Sequence, residues 1–504
     1  MQSWIVEEFQ LLDVGDERLN RRCRKFVEQR VNHPSLSIPA SIAASETANH
    51  RSEVEAAYRL LDNDRVDDQG ILQPHFERTR GRISQARVAI VAQDTTEIDL
   101  TRPMESMAGI GPLGSHDEPR VGALNHVLLA MSVDGVPLGL LPGKVWTRDP
   151  DDPRAKLSAA ERARRRDKTP FAAKESARWV NGYRSVCEVA DAAPETRLVC
   201  VSDSESDIFE FLQEARRVDA GPRASWIVRA CQNRALVTET KRRKPSDYLF
   251  AAAASLPQNG VRQLDIRARQ RQGGDSRKRK AARSQRIACC ELRAGSITIQ
   301  APFDMGRRTP PVTVNVVLLR ESHPPSEEPA IEWLLLTDLP VEHSDDIDKV
   351  LNYYCLRWTI EVYFKILKSG CRIEASQLMT FERFRNFLAV TMVVAWRIHR
   401  LTMLNREQPE LPCTAVLDGD EWQAAYAFVN RCSPPEQPPC LSEMVKIIGQ
   451  LGGWLGRKGD GPPGPKCMWI GFQRMRDLAI GWQVFQQFAN QKSPQEKLRK
   501  KCVE

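Results

Sequence analysis

Two apolar runs of strand length in this chain each end on an aspartate. VAIVAQ (88–93) leads into Asp94, and TRLVCVS (196–202) leads into Asp203. Short apolar runs bounded by polar residues suit strands buried inside a sheet. A helical pattern, SDIFEFLQEARR (206–217), follows the second run, and WIVRA (226–230) reads as a further strand. Together these elements predict a mixed α/β sheet. Carboxylates at the ends of such strands are well placed to hold a hard cation, which prefers oxygen ligands. An aspartate there is equally the ordinary turn residue or helix N-cap, and the segment from Asp203 to Asp207 suits a cap.

The rest of the chain divides by character. Residues 1 to about 75 read as helical. In DERLNRRCRKFVEQRV (16–31), Leu19, Cys23, Phe26 and Val27 recur at helical spacing, while Arg18, Arg21, Arg22, Arg24 and Lys25 cover much of the remaining surface. A second helix is predicted over 52–63. Apolar runs flank Val133-Asp134-Gly135, a strong turn signal, so 124–141 reads as a hairpin. From about 236 to 340 the pattern becomes strand-like, with VTVNVVLL (312–319) and EWLLLT (332–337). Within it, 262–286 holds ten Lys or Arg against two Asp and reads as an exposed basic loop or hairpin tip. A long helix is predicted from about Asp345 to Lys368, stopping at Ser369-Gly370. An apolar helix (385–404), a Pro-rich break (433–440) and further helical segments around 451–472 complete the chain.

Bulk properties narrow the partners. The formal net charge of +8 is compatible with a polyanion but common among basic enzymes too. Thirteen cysteines without a C-x-x-C pair match no zinc template and imply free thiols in a reducing cytoplasm. The N-terminus lacks the apolar core of a signal peptide, and no run of about 18 apolar residues is present. A cytoplasmic protein without a membrane partner is therefore expected.

The helix at 345–368 carries the sharpest pattern. At about 100° per residue, Tyr354, Arg357, Glu361, Lys365 and Lys368 fall within an arc of about 80°. Pairing of Glu361 with Arg357 and Lys365 would account for part of this, at only ~0.3–0.5 kcal/mol per pair. The same stripe is also what a metal-binding carboxylate beside a phosphodiester needs, with cations and a phenol to grip phosphate oxygens.

LNYYCLRWTIEVYFKILK contains Y-x2-R-x3-E-x6-K, here Tyr354, Arg357, Glu361 and Lys368. This resembles the Y-R-E-K signature of insertion-sequence transposases of the IS-four family. AQDTTEID resembles that family's first-aspartate block and VSDSESDIFEFL its second. KESARW (174–179), IVRA (227–230), EWLLLTDLPVE (332–342), LGGW (451–454) and the later Trp469-x-Gly471 resemble further blocks, so the similarity runs from roughly residue 10 to 485. Ser204 departs from it, standing where the family carries a basic residue. The first 15 residues differ as well.

The resemblance implies an α/β fold with an RNase H-like catalytic core of the retroviral-integrase superfamily. The core would be interrupted by a β-rich insertion and flanked by helical N- and C-terminal domains. The corresponding boundaries are an N-terminal DNA-binding domain at 1–75, the first part of the core at 76–235 and the insertion with its basic loop at 236–340. The second part of the core, with the Y-R-E-K helix, is 341–400, and a dimerisation domain is 401–504. Asp94, Asp203 and Glu361 would be both the catalytic residues and the ligands of Mg²⁺, with Mn²⁺ able to substitute. Tyr354, Arg357, Lys365, Lys368, Arg229, Arg18, Arg21 and Arg22 would contact DNA, and Trp333 would stack on a flipped base. Expected partners are double-stranded DNA, both terminal inverted repeats and target, and a second copy in the synaptic complex. The implied activity is cut-and-paste transposition by nicking, hairpin formation and strand transfer. The alternatives are a catalytically inactive DNA-binding regulator and a structure-specific metal-dependent nuclease of the same fold.

Overall fold

The computed structural model describes residues 3–45, 50–102, 106–114, 120–150, 158–216, 224–238, 243–266, 268, 282–305 and 309–490. The chain forms two compact units and crosses between them several times. The first unit comprises 1–82, 95–156 and 359–504; the second comprises 83–94 and 157–358. One strand, β1 (Val88–Asp99), belongs to both, because the crossing falls directly after Asp94.

The first unit is mainly helical. Its longest N-terminal helix, Glu17–Asn32, starts where Asp16 accepts the backbone N–H groups of Arg18 and Leu19, both at 2.9 Å. Cys23, Phe26 and Val27 are buried as their spacing predicts, but Arg30 is buried too. Its guanidinium donates to the carbonyls of Pro34 and Leu36 and to the Ser41 hydroxyl, and it lies 4.9 Å from the Phe387 ring centroid. Those acceptors are what make a buried guanidinium tolerable. β2 (Gly111–Pro112), β3 (Val121–Met131) and β4 (Pro137–Trp146) also lie here, with β2 and β4 both antiparallel to β3. The β3–β4 hairpin turns at Gly135, whose φ of 82° explains the Asp-Gly signal.

The helix Phe381–Leu404 is the core of this unit. It is the one described helix long and apolar enough to cross a membrane, and 83% of its most apolar window is buried within the protein. Toward the C-terminus, helices Leu441–Leu451 and Pro465–Asn490 pack backbone against backbone. A Cβ on Gly452 would sit 1.8 Å from the Cys467 carbonyl oxygen, and one on Gly471 would sit 1.9 Å from that of Ile448. This close approach accounts for the glycines of LGGW and of Trp469-x-Gly471.

The second unit is built on a mixed sheet. β5 (Arg197–Ser202) runs parallel to β1, and β6 (Ser225–Arg229) runs parallel to β5. β7 (Gln258–Ile266), β8 (Arg286–Ile299), β9 (Val312–Glu321) and β10 (Glu332–Thr337) form an antiparallel series, and β10 joins it to β6. The strand-rich character of 236–340 is thus an antiparallel extension of the parallel strands. Most of the basic stretch predicted as a loop, 267 and 269–281, lies outside the described residues. Arg262, at its start, is on β7 and reaches Asp348 at 3.1 Å and Asn352 at 2.6 Å.

The single long helix expected at 345–368 is interrupted. Helix Ser344–Leu356 gives way at Arg357 to helix Trp358–Lys365, and Ile366–Gly370 continues as a π-turn. A π-turn holds more residues than an α-turn, so Lys368 does not lie where a uniform 100° step puts it. Gly370 ends the turn against the indole of Trp469, where a Cβ would come within 3.1 Å of the ring.

Candidate active site

The register of β1 and β5 sets the site. The two strands are parallel, and Gln93 pairs with Ser202. The next positions, Asp94 and Asp203, therefore emerge side by side from adjacent strands, about 4.8 Å apart along the sheet, and project to the same face. Gln93 and Ser202, buried on the opposite face, fix that orientation. Asp203 also accepts the Glu205 N–H at 2.8 Å and so caps a short 3-10 turn, Ser204–Ser206. The capping role weighed against a site role from sequence is therefore real, and it still leaves one carboxylate oxygen uncommitted to the cap.

Within the same unit, four further predicted residues gather. Arg357 donates to the Asp94 carboxylate at 3.1 Å. Tyr354 lies one turn earlier, and its ring meets Trp333 edge-on at a centroid distance of 5.6 Å. Arg229, on β6, donates to the Glu332 carbonyl at 3.1 Å. Tyr354 and Arg357 are 2% and 6% exposed, so both form part of the packed wall and do not stand in solvent. Burial pushes the Tyr354 phenol above its ordinary range, against the opposing pull of the Arg357 and Arg229 guanidiniums. Trp358, which the sequence reading passed over, is 52% exposed with Arg357 4.9 Å over its ring. An exposed tryptophan next to the motif arginine was the signal for it.

The first unit holds the remaining candidates. Glu361 and Lys365 are exposed on helix Trp358–Lys365. Lys368 pairs with Glu374 at 3.2 Å, and that carboxylate also accepts the Asp99 N–H at 3.1 Å. Of the N-terminal arginines, Arg18 and Arg21 are exposed, whereas Arg22 contacts Glu53 at 2.5 Å, as does Lys25 at 3.1 Å.

Among the described residues, no three acidic, histidine or cysteine side chains converge on a point where an ion would sit. The donor chemistry nonetheless fits a hard divalent cation. Two carboxylates, Asp94 within β1 and Asp203 at the end of β5, leave adjacent strands on one face and offer oxygen ligands. In this arrangement the positive charge beside Asp94 comes from Arg357.

Family comparisons agree in order along the chain. A model described as transposase DNA-binding matches residues 1–66, one described as transposase DDE domain matches 214–396, and one described as transposase Tn5 dimerisation domain matches 393–490.

The chain belongs to the Tn5-like DDE transposases.

The DDE match takes in the motif helices, and the dimerisation match takes in the helices joined at Gly452 and Gly471. Among solved structures, the chain is similar to a chain from a cryo-EM structure of a piggyBac transposase synaptic complex with hairpin DNA. The TM-score is 0.30 and the identity 7%, over 64% of this chain and 48% of that one. The chain thus spans about half the length of that relative.

Proposed function

We propose that this protein is an active cut-and-paste DNA transposase with an RNase H-like core, in which Asp94, Asp203 and Glu361 hold the divalent cations. The observation that carries the proposal is the parallel register of β1 and β5, which sets Asp94, within β1, beside Asp203 at the end of β5. The motif Tyr354, Arg357, Glu361 and Lys368 supplies the third acid. The cations are Mg²⁺, with Mn²⁺ substituting; when bound, they activate the attacking oxygen and stabilise the leaving one in an in-line displacement.

The protein's own residues bind and orient the strand. Arg357 sits where it can exchange its contact with Asp94 for a phosphate oxygen, as a guanidinium fork allows. Tyr354, packed on Trp333, holds that indole in a fixed pose from which a flipped base can stack. Arg229, Lys365 and Lys368 add backbone contacts, with Lys368 leaving Glu374 to do so. Arg18, Arg21 and Arg22, inside the segment matched by the DNA-binding model, contact the end duplex.

Water first nicks one strand at the transposon end and frees a 3′-hydroxyl. That hydroxyl attacks the opposite strand to give a hairpin, water reopens the hairpin, and the same hydroxyl attacks target DNA. Each step exchanges one phosphodiester bond for another or for water, so no covalent protein–DNA link is needed. Two copies, joined through 401–504, would hold paired ends in the synaptic complex.

Glu361→Ala, Asp94→Ala and Asp203→Ala should each abolish Mg²⁺-dependent end cleavage while leaving end binding in a gel-shift assay within a few-fold of wild type. Cleavage retained in any of the three would remove that acid from the site. Strand transfer of a pre-cut end into plasmid DNA separates a transposase from a nuclease of the same fold.

A further inference from the structure

Asp207 is 3% exposed, and its carboxylate takes four hydrogen bonds from a single loop. The N–H groups of Cys231 and Gln232 donate to Oδ2 at 2.7 and 2.8 Å, and Arg234 donates to Oδ1 through Nε at 3.1 Å and Nη2 at 2.7 Å. Arg234 also donates to the Asp207 carbonyl at 2.6 Å, and the Cys231 thiol donates to the Ser204 carbonyl at 3.2 Å. A buried carboxylate is tolerated when its lone pairs are satisfied in this way. The effect is to pin the loop after β6 onto the turn that begins at Asp203.

The same loop lines an open cavity of about 700 Å³. Gln232, Asn233 and Arg234 form one side, and Arg243, Gln300 and Phe303 contribute the rest of the chemistry. Among the described residues that line it, none is acidic. The Phe303 ring is 88% exposed, far more than a ring with a packing partner.

Each of these groups selects for the same kind of ligand. Asp207 meets the charge of Arg234, so Arg243, which donates to the Leu236 carbonyl at 2.7 Å, is the lining cation that favours a phosphate. Side-chain amides donate and accept at once, as a base edge requires. An exposed ring offers a face to a planar partner. A purely apolar ligand would leave Arg243 and the amides unmatched.

We propose that this pocket takes one unpaired nucleotide of the DNA strand adjacent to the phosphodiester held at the Asp203 turn, and that the Asp207–Arg234 clamp fixes its wall. The proposal rests on the transposase function above. It adds a base-accepting subsite separate from Trp333, on the loop side of Asp203.

The test uses the full chain and duplexes of the element's own end, either blunt or carrying a short unpaired extension at the cleavage site. Binding is followed by fluorescence anisotropy in EDTA, so that no cleavage intervenes. Wild type should bind the extended duplex about tenfold more tightly, the scale of one stacked base. Phe303→Ala and Arg243→Ala should lose that preference and keep blunt-duplex affinity, while Phe303→Trp should retain it. Asp207→Asn, checked for folding by circular dichroism, should weaken the preference in the same direction. A halogenated pyrimidine at the unpaired position should photocrosslink to the 300–303 segment. No preference in wild type, or the same preference in both alanine variants, overturns the subsite alone. Displacement by a free deoxynucleotide without any gain from the extension would make it a mononucleotide site and also overturn it. Failure of wild type to bind either duplex would instead count against the transposase function.

Discussion

The guanidinium of Arg357 lies 3.1 Å from the carboxylate of Asp94, on the first residue past the end of a helix that packs Tyr354 against Trp333. The contact is nearly enclosed, with the two side chains 7% and 15% exposed. Arg357 thus balances the charge of Asp94, and at the proposed site a metal would compete with it for Asp94 and a phosphate would compete with Asp94 for it. Arg357→Ala should reduce end cleavage by about 10²-fold, the scale of losing one preorganised donor. Arg357→Lys should recover only part of it, because a point charge does not reproduce a planar fork. A Mg²⁺ titration of cleavage rate checks the second half: the metal concentration at half-maximal rate should change in Arg357→Ala. An unchanged midpoint would mean that Arg357 acts on DNA alone.

Trp333 is the base platform in the proposed hairpin step. Trp333→Ala should slow hairpin formation by ~1–3 kcal/mol of lost stacking while leaving the first nick near wild type. Trp333→Phe should restore most of it. Denaturing gels of single-turnover reactions resolve the nicked and hairpin products, and equal slowing of both steps would assign the tryptophan to packing.

Glu8 anchors a buried cluster in the helical unit. It accepts from His75 Nδ1 at 2.5 Å and from Arg82 at 2.9 and 3.0 Å, while the Leu140 N–H donates to His75 Nε2 at 2.9 Å. That last bond requires an unprotonated Nε2, so His75 is a neutral donor to Glu8. Burial raises the Glu8 carboxyl, but His75 and Arg82 outweigh it and hold it at about 2. A depressed carboxyl stabilises the fold above the ordinary glutamate range near ~4.3 and loses that contribution as pH falls toward about 2. Glu8→Gln should therefore destabilise most near neutral pH, with the gap to wild type closing below about pH 4. Glu8→Ala, which leaves Arg82 and His75 without their partner, should cost ~3–5 kcal/mol. Urea denaturation at a series of pH values measures both.

Gly471 and Gly452 let two C-terminal helices touch through their backbones. Gly471→Ala should push the helices apart and cost ~1–3 kcal/mol in thermal or urea unfolding. Because these helices fall within the segment matched by the dimerisation model, sedimentation of the protein on paired end DNA should show weakened two-copy assembly. Unaltered stability would contradict the close approach.

Much of this was legible in the sequence, for reasons that can be named. The strand ending at Asp203 was readable because an apolar run of that length has few other uses. The strand read as ending at Asp94 runs on to Asp99 through the more polar 95–99, which carries no apolar-run signal. The side-by-side placement of the two aspartates was not legible, because register depends on pairing across a long stretch of chain. The Asp-Gly hairpin at Gly135 followed from local φ demand. The break at Arg357 and the π-turn beyond it were hidden, since a helical wheel assumes a constant angle per residue. Arg22 looked like a surface charge on an amphipathic helix, yet Glu53 claims it, and the burial of Arg30 beside the Pro34 carbonyl left no mark in the spacing of apolar residues. Asp207 gave no signal beyond a second acid in a capping segment; its role emerges only when the loop after β6 folds onto it.

The π-turn at Ile366–Gly370 bears on how the motif tolerates changes in length. A turn with one residue to spare can give that residue up and close as ordinary α-helix, so a single deletion there need not unwind the helix. The wider π-turn and the α-turn that would replace it sweep nearly the same angle, so whatever follows, Gly370 against the Trp469 indole included, would keep its face. Damage from such a deletion would surface inside the turn, in the direction of Lys368 relative to Glu361, not as lost helicity or lost alignment with the C-terminal helices. The turn thus separates two demands on one helix: the interval from Glu361 to Lys368, and the seat of Gly370 on its neighbour.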